Sequence, residues 1–189
     1  MGFSFFKADA LYCDFLRKED PRVPYVMDEK STRPFVGIVL SVNGFHYYAP
    51  LTSPKRKHLK MKSQIDFLKI KRGEWGAINL NNMIPVPPEC LQKVELAILE
   101  TDSKVDIAYK YLLRNQLSWC NANRDMILKQ ARKLYRMVID GRAWESLASR
   151  CCNFALDEQR CAAYCREHSL SSGECVSDRR VEDDSIANK

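Results

Sequence analysis

The clearest pattern in the chain is a pair of alternating apolar runs, FVGIVLSV and FHYYAPLT, on either side of Asn43-Gly44. An Asn-Gly pair in this setting predicts a two-residue hairpin turn, because both turn positions need positive φ. Such a turn sets the register, with paired residue numbers adding to 87. Val36, Ile38, Leu40 and Val42 then share the core face with Leu51, Ala49, Tyr47 and Phe45. The same register carries Arg33 to the neighbourhood of Thr52-Ser53-Pro54-Lys55.

The remaining elements follow from periodicity and punctuation. Gly2 to Phe6 is strand-like. Ala8 to Arg17 reads as a short helix with Ala8, Leu11, Tyr12, Phe15 and Leu16 on one stripe, stopped by Asp20-Pro21. Residues 20–33 read as a polar connecting loop. Gln64 to Ile70, Trp75 to Leu80 and Met83 to Val86 are expected strands, the last two joined by Asn81-Asn82. Pro87-Pro88 closes this β-rich half. Glu89 to Leu99 is expected to be helical. Val105 to Ile139 is rich in helix formers, with a kink or break near Asn121 and Asn123 and a stop at Gly141. Its positions Ala108, Tyr111, Leu112, Ile127, Leu134 and Val138 are expected to pack on the sheet. A further helix covers Asp157 to Glu167. Residues 1–168 make one domain, and 169–189 read as a polar, disordered tail.

Composition adds boundaries. With 189 residues, 46% hydrophobic and 29% charged, the chain has an ordinary globular balance. No apolar run reaches the length of a bilayer span, and the N-terminus lacks the pattern of a signal peptide. The expected location is the cytoplasm, with no membrane partner and with the eight cysteines reduced. Cys161, Cys165, His168 and Cys175 are the only candidate zinc set, and their spacing matches no C-x2-C pair, so no metal and no cofactor is expected.

Charge changes the picture more. Residues 55–72 contain Lys55, Arg56, Lys57, Lys60, Lys62, Lys69, Lys71 and Arg72 against Asp66 alone, a local net of +7 in a chain whose total is +6. This concentration fits a solvated lysine-rich loop or a polyanion footprint. Tyr48 and Trp75 are aromatics near it that could stack on unpaired bases, whereas Tyr47 and Phe67 read as core.

The adjoining Thr52-Ser53-Pro54-Lys55 has parts suited to RNA cleavage. In that reaction the 2′-hydroxyl attacks the neighbouring phosphorus and expels the 5′-oxygen. The protein positions the phosphate, stabilises charge on its oxygens and assists two proton movements. Two hydroxyls can donate to phosphate oxygens, a lysine supplies charge, and Pro54 stiffens the turn. Arg33 can grip a phosphate with paired hydrogen bonds, and His58 titrates in the range of an acid or base. No Walker loop, G-x-G-x-x-G, G-x-S-x-G or H-E-x-x-H pattern offers competing chemistry.

The run FVGIVLSVNGFHYYAPLTSPKRKH, followed by GAINLNNMIPVP and by CNF at 152–154, resembles the type III toxin–antitoxin endoribonuclease toxins, the ToxN/AbiQ family. The similarity spans roughly residues 10–160. It implies an α/β (α+β) fold in which a bent antiparallel sheet is surrounded by helices, similar to Kid/MazF-type RNase toxins. It implies metal-independent cleavage of single-stranded, adenine-rich RNA, leaving a 2′,3′-cyclic phosphate. The implied partner is an RNA antitoxin, a repeat-derived pseudoknot that the toxin processes and that inhibits it. Cellular or phage mRNA would be the substrate, and toxin and RNA would form a hetero-oligomeric assembly that protects bacteria against phage.

By resemblance Thr52, Ser53 and Lys55 fall on the catalytic segment, and Tyr12 on a site tyrosine that would orient the nucleotide. Arg33 stands where relatives carry a lysine; a guanidinium can hold phosphate but not act as a base. Lys57 and Glu29 stand where relatives can have aromatic residues. Arg56, Lys57, His58, Lys60, Lys62, Lys69, Lys71 and Arg72 are the expected RNA-binding set. Two other readings compete: a catalytically silent RNA-binding protein, and a protein–protein module working through the helix at 105–139.

Overall fold

The computed structural model describes residues 2–26 and 34–170. The order of elements is β1 (Ser4–Ala8), α1 (Ala10–Arg17), β2 (Phe35–Val42), β3 (Phe45–Thr52), α2 (Arg56–Lys60), β4 (Phe67–Lys69), β5 (Ala77–Asn79), β6 (Ile84–Pro85), β7 (Leu91–Lys93), α3 (Lys104–Ala122), α4 (Arg124–Ile139), α5 (Glu145–Ala148) and α6 (Phe154–Glu167). The strands form one antiparallel sheet in the order β4-β5-β3-β2-β1-β7, with β6 also on β3, and the helices pack around it.

The hairpin forms at Asn43-Gly44, and both turn residues have positive φ, 51° and 78°. Its register adds to 87 for Val42↔Phe45, Ser41↔His46 and Leu40↔Tyr47, as expected. It then slips by two: a bulge between Gly37 and Leu40 pairs Gly37 with Tyr48, Val36 with Ala49 and Phe35 with Pro50. An even slip preserves the core face, so Val36 and Ala49 stay buried, but Ile38 sits in the bulge and is exposed. The outer edge of β3 is shared. Tyr47 and Tyr48 pair with β6, and Leu51 and Thr52 pair with β5.

The helix expected at 89–99 is corrected. A 3-10 turn at Pro88–Cys90 leads into β7, which pairs with β1 through Phe6↔Lys93, Lys7↔Gln92 and Ala8↔Leu91. The free edge of β1 offers a ladder, and pairing with it outweighs local helix propensity. The strand expected at 64–70 shrinks to Phe67–Lys69. The break in the long helix falls at Asn123. Of its expected core positions, Ile127 and Leu134 are buried, whereas Ala108 and Tyr111 are exposed; α3 instead buries Leu113, Gln116 and Cys120. Beyond residue 170 the tail lies outside the described residues.

One polar anchor ties the helices to the sheet. Glu158 of α6 accepts the hydroxyls of Tyr47 and Tyr135, each at 2.8 Å. The Tyr47, Tyr135 and Phe154 rings pack around it at 5.7–5.8 Å between centroids. Burial and the Glu158 carboxylate push both phenols well above the ordinary tyrosine value, so they remain hydrogen-bond donors. Burying a ring such as Tyr47 contributes about 1.5–3 kcal/mol.

Candidate RNA-cleaving site

The segment after β3 is placed by its neighbours. Thr52 is the last residue of β3; it is buried and pairs with Ala77. Behind it stands Gly76, with φ of +90°, where an added Cβ would collide with the Thr52 carbonyl oxygen. Only glycine permits both the backbone conformation and this approach. Ser53, Pro54 and Lys55 then emerge into solvent. The Lys55 carbonyl accepts the His58 N–H at 2.8 Å and so starts α2. Among the described residues, neither the Ser53 hydroxyl nor the Lys55 ammonium has a hydrogen-bond or ion-pair partner. Both are available to a ligand.

The other expected residues divide. Arg56, Lys57, Lys60 and Lys62 are exposed around the turn, as is Arg72. Lys69 is a correction: its Nζ donates to the carbonyls of Leu59 at 3.1 Å and Met61 at 2.9 Å, so it closes the C-terminal end of α2. Lys71 pairs with Glu74 at 3.1 Å and lies 4.5 Å over the Trp75 ring. The single acid of the strip, Asp66, is taken up by a two-pronged pair with Arg150 at 2.5 and 3.1 Å. It therefore does not mask the exposed cations.

His58 is also corrected. It is buried against Phe67, its Nδ1 has no partner, and burial first, then Lys55, Lys57 and Lys69, hold its imidazole below the ordinary histidine value. A sealed neutral ring cannot contact RNA or shuttle a proton to it. Tyr12 is the third correction. It has no exposed surface, and its hydroxyl donates to the Pro85 carbonyl at 2.5 Å. Its role is to hold α1 against β6, because a hydroxyl committed inside the core cannot orient a nucleotide. Arg33 and Glu29 lie outside the described residues. The chain re-enters at Pro34, whose carbonyl accepts the Leu51 N–H at 2.8 Å, one residue from Thr52.

Three concavities follow one another by shared border residues, the first of them at the turn. A cleft of about 370 Å³ is lined by Pro54, Lys55, Arg56, Leu59, Gly73 and Glu74. Glu74 also borders a groove of about 1200 Å³ with Lys71, Arg72, Trp119, Lys129 and Lys133 on its walls. Lys129 and Lys133 border in turn a third, of about 540 Å³, with Arg132, Arg136 and Arg142. The cations of α4 were missed in reading the sequence. Lys129, Arg132, Lys133 and Arg136 are spaced by three and four residues, so they form one stripe opposite the buried Ile127, Ala131, Leu134 and Tyr135. Among the described residues, none of the four has a carboxylate partner within 4.0 Å. The spacing was there to be read, but the acids elsewhere in the chain cancel these charges in any overall tally.

Only part of the candidate zinc set lies within the described residues. Cys161 and Cys165 are buried on α6, His168 is exposed and stacked on Tyr164 at 3.9 Å, and Cys175 lies outside the described residues.

An antiparallel sheet that ends in an exposed serine and an unpaired lysine, beside grooves walled by cations, has the features of a protein that receives a polyanion. Comparison with known proteins gives the family. Residues 4–162 match the family described as toxin ToxN of type III toxin–antitoxin systems. The chain is 32% identical over 164 residues to the endoribonuclease ToxN of Pectobacterium atrosepticum, covering 82% of this chain and 90% of the relative. It is 30% identical over 157 residues to the endoribonuclease ToxN of Bacillus thuringiensis subsp. kurstaki, covering 81% and 79%. A solved structure from work on a processed non-coding RNA that regulates a bacterial antiviral system superposes with a TM-score of 0.71 at 29% identity, covering 84% of this chain and 97% of that one. The lactococcal anti-phage endoribonuclease AbiQ shares the fold, with a TM-score of 0.74 at 24% identity over 88% and 99% of the two chains. The chain belongs to the ToxN family of type III toxin–antitoxin toxins.

Proposed function

We propose that this chain is an endoribonuclease toxin that cuts single-stranded RNA by attack of the RNA's own 2′-hydroxyl. The observation that carries the reading is the exposed Ser53-Pro54-Lys55 turn, with its functional groups uncommitted, at the head of the cationic grooves. The 2′-oxygen forms a bond to phosphorus as the bond to the 5′-oxygen breaks. The 2′-hydroxyl loses its proton, and the leaving oxygen gains one. Ser53 and Lys55 act on the phosphate oxygens, where charge develops, while Thr52 and Arg33 position the phosphate. The products are a 2′,3′-cyclic phosphate and a 5′-hydroxyl. This route needs no metal, and adenine-rich RNA is the expected target.

The antitoxin is proposed to be RNA as well. One structural relative, with a TM-score of 0.72 at 27% identity over 87% of this chain, comes from work on selective toxin inhibition by a non-coding RNA pseudoknot. A repeat-derived pseudoknot lying along the same grooves would be processed at the turn, block it, and link toxins into a closed assembly.

The test is incubation of the purified chain with adenine-rich single-stranded RNA in EDTA, with mass spectrometry of the product ends. Cyclic phosphate and 5′-hydroxyl ends support the reading. A gel shift with intact RNA would instead make the chain a silent binder. Transcripts of tandem repeats from upstream of its gene should be cut at the repeat unit and should then inhibit the reaction.

A further inference from the structure

Three chemistry-bearing groups converge where the exit of α1 meets the start of α6. Asp20, Cys152 and Asp157 each offer a ligating atom, and these atoms lie within 4.8 Å of one another. All three residues are sealed, with exposures of 0%, 1% and 0%. Asp20 is well held: Oδ1 accepts Arg22 N and Nε at 3.0 and 2.8 Å, and Oδ2 accepts Asn153 N at 2.5 Å. Asp157 is not. Neither of its oxygens has a hydrogen-bond partner among the described residues. Cys152 Sγ has only a long contact from Asn82 Nδ2, at 4.0 Å. A buried carboxylate in this state is strongly unfavourable unless something else neutralises it.

We propose that Asp20, Cys152 and Asp157 bind one divalent cation of the zinc class, which staples α6 to the exit of α1. The charges close: two carboxylates and a thiolate balance the ion together with Arg22. A thiolate beside carboxylates suits zinc or cobalt rather than magnesium or calcium, which take oxygen ligands. A proton is the competing occupant, since burial and Asp20 push the Asp157 carboxyl up to about 8. A proton, however, serves one oxygen and leaves the second unpartnered, whereas a cation engages the carboxylate and the thiol together. The staple is structural. It fixes the helix that carries Glu158, the acceptor for Tyr47 of β3, and it stands whether or not the chain cleaves RNA.

The full chain, purified without chelator, decides the matter. One zinc equivalent should survive desalting, and stripping it with a strong chelator should lower the melting temperature, restored by added zinc. Cobalt-loaded protein should show a thiolate-to-cobalt absorption band that Cys152→Ser abolishes and Cys151→Ser, at the buried neighbour, keeps. Asp157→Asn should lose the metal and the response to zinc. The proposal fails if the wild-type chain holds no metal and its melting temperature ignores added zinc and cobalt, or if the band survives Cys152→Ser. An Asp157→Asn chain that melts higher without metal would assign the cluster to a proton. Should the variants not fold, metal content and melting of the wild-type chain decide between the two occupants.

Discussion

Two basic regions of this protein look unequal in sequence and draw closer to equal in three dimensions. The strip 55–72 is dense in lysine, yet part of it is inward work. Lys69 holds the end of α2, His58 is buried, and Lys71 pairs with Glu74. The helix α4 looks like any charged helix, yet Lys129, Arg132, Lys133 and Arg136 all face the grooves without carboxylate partners among the described residues. Charge density along a chain is therefore a poor measure of charge presented to a polyanion. What counts is which cations the fold itself consumes.

The largest effect should separate chemistry from charge within the strip itself. Lys55→Ala should lower RNA cleavage by about 100- to 1000-fold, the range for losing one preorganised group that stabilises developing charge. Ser53→Ala should fall in the same range. Lys57→Ala, two residues away and equally exposed, should change cleavage only slightly. Comparable losses at Lys55 and Lys57 would mean that the turn contributes bulk charge and no chemistry. Next in size is Gly76→Ala. The side chain would meet the Thr52 carbonyl, in a backbone conformation that disfavours it. A loss of about 2–3 kcal/mol in urea-unfolding stability is expected from strain of this kind. A stability loss within about 0.5 kcal/mol of zero would show that the Thr52 carbonyl shifts freely, so that the turn is not held from behind.

The hairpin was legible in the sequence because its signal is local: an Asn-Gly turn between alternating strands states its own register. Even there the bulge at Gly37–Leu40 was invisible, since a two-residue slip leaves the core face unchanged. The helix expected at 89–99 failed for the opposite reason. Its state is set by a distant partner, the open edge of β1, which no local pattern reports. The site divides in the same way. Ser53 and Lys55 are exposed just past β3, in a segment whose Pro54 marks a turn in the sequence. Tyr12 and His58 have the right side chains for a site, but their direction, inward, depends on α1 packing against Pro85 and on α2 closing over Phe67. Asp20 and Asp157 are 137 positions apart, so no reading of spacing could join them.

The α4 stripe can be weighed against the strip by salt. Replacing Arg132 and Lys133 together by Gln should leave cleavage of a short oligonucleotide nearly unchanged, because neither touches the turn. Binding of a longer RNA should weaken, and the slope of log affinity against log salt should fall by about 1.4, roughly 0.7 for each single-strand phosphate no longer neutralised. The same pair of substitutions at Lys69 and Lys71 should lower the slope less, since both side chains are already engaged. An unchanged slope for the α4 pair would confine the RNA to the strip, as the bare sequence suggests.

The smallest effect concerns acid. In the fold His58 is held below its ordinary value by burial and by Lys55, Lys57 and Lys69, so it is neutral near pH 7. The unfolded chain carries no such restraint, and its histidine takes up a proton near pH 6.5. Between these two values the unfolded state binds more protons than the folded one, so stability falls as pH falls. The loss begins near pH 6.5 and levels off below the lowered folded value, where both states are protonated. Urea midpoints followed from pH 7.5 to 5.5 should therefore decline for the wild-type chain and decline less for His58→Gln. The Gln variant should lose little cleavage activity at pH 7.5, because the ring is sealed away from RNA. If His58→Gln instead abolished cleavage while the fold stayed intact, the imidazole would have to reach the substrate, and the division between the inward and outward parts of the strip would be drawn in the wrong place.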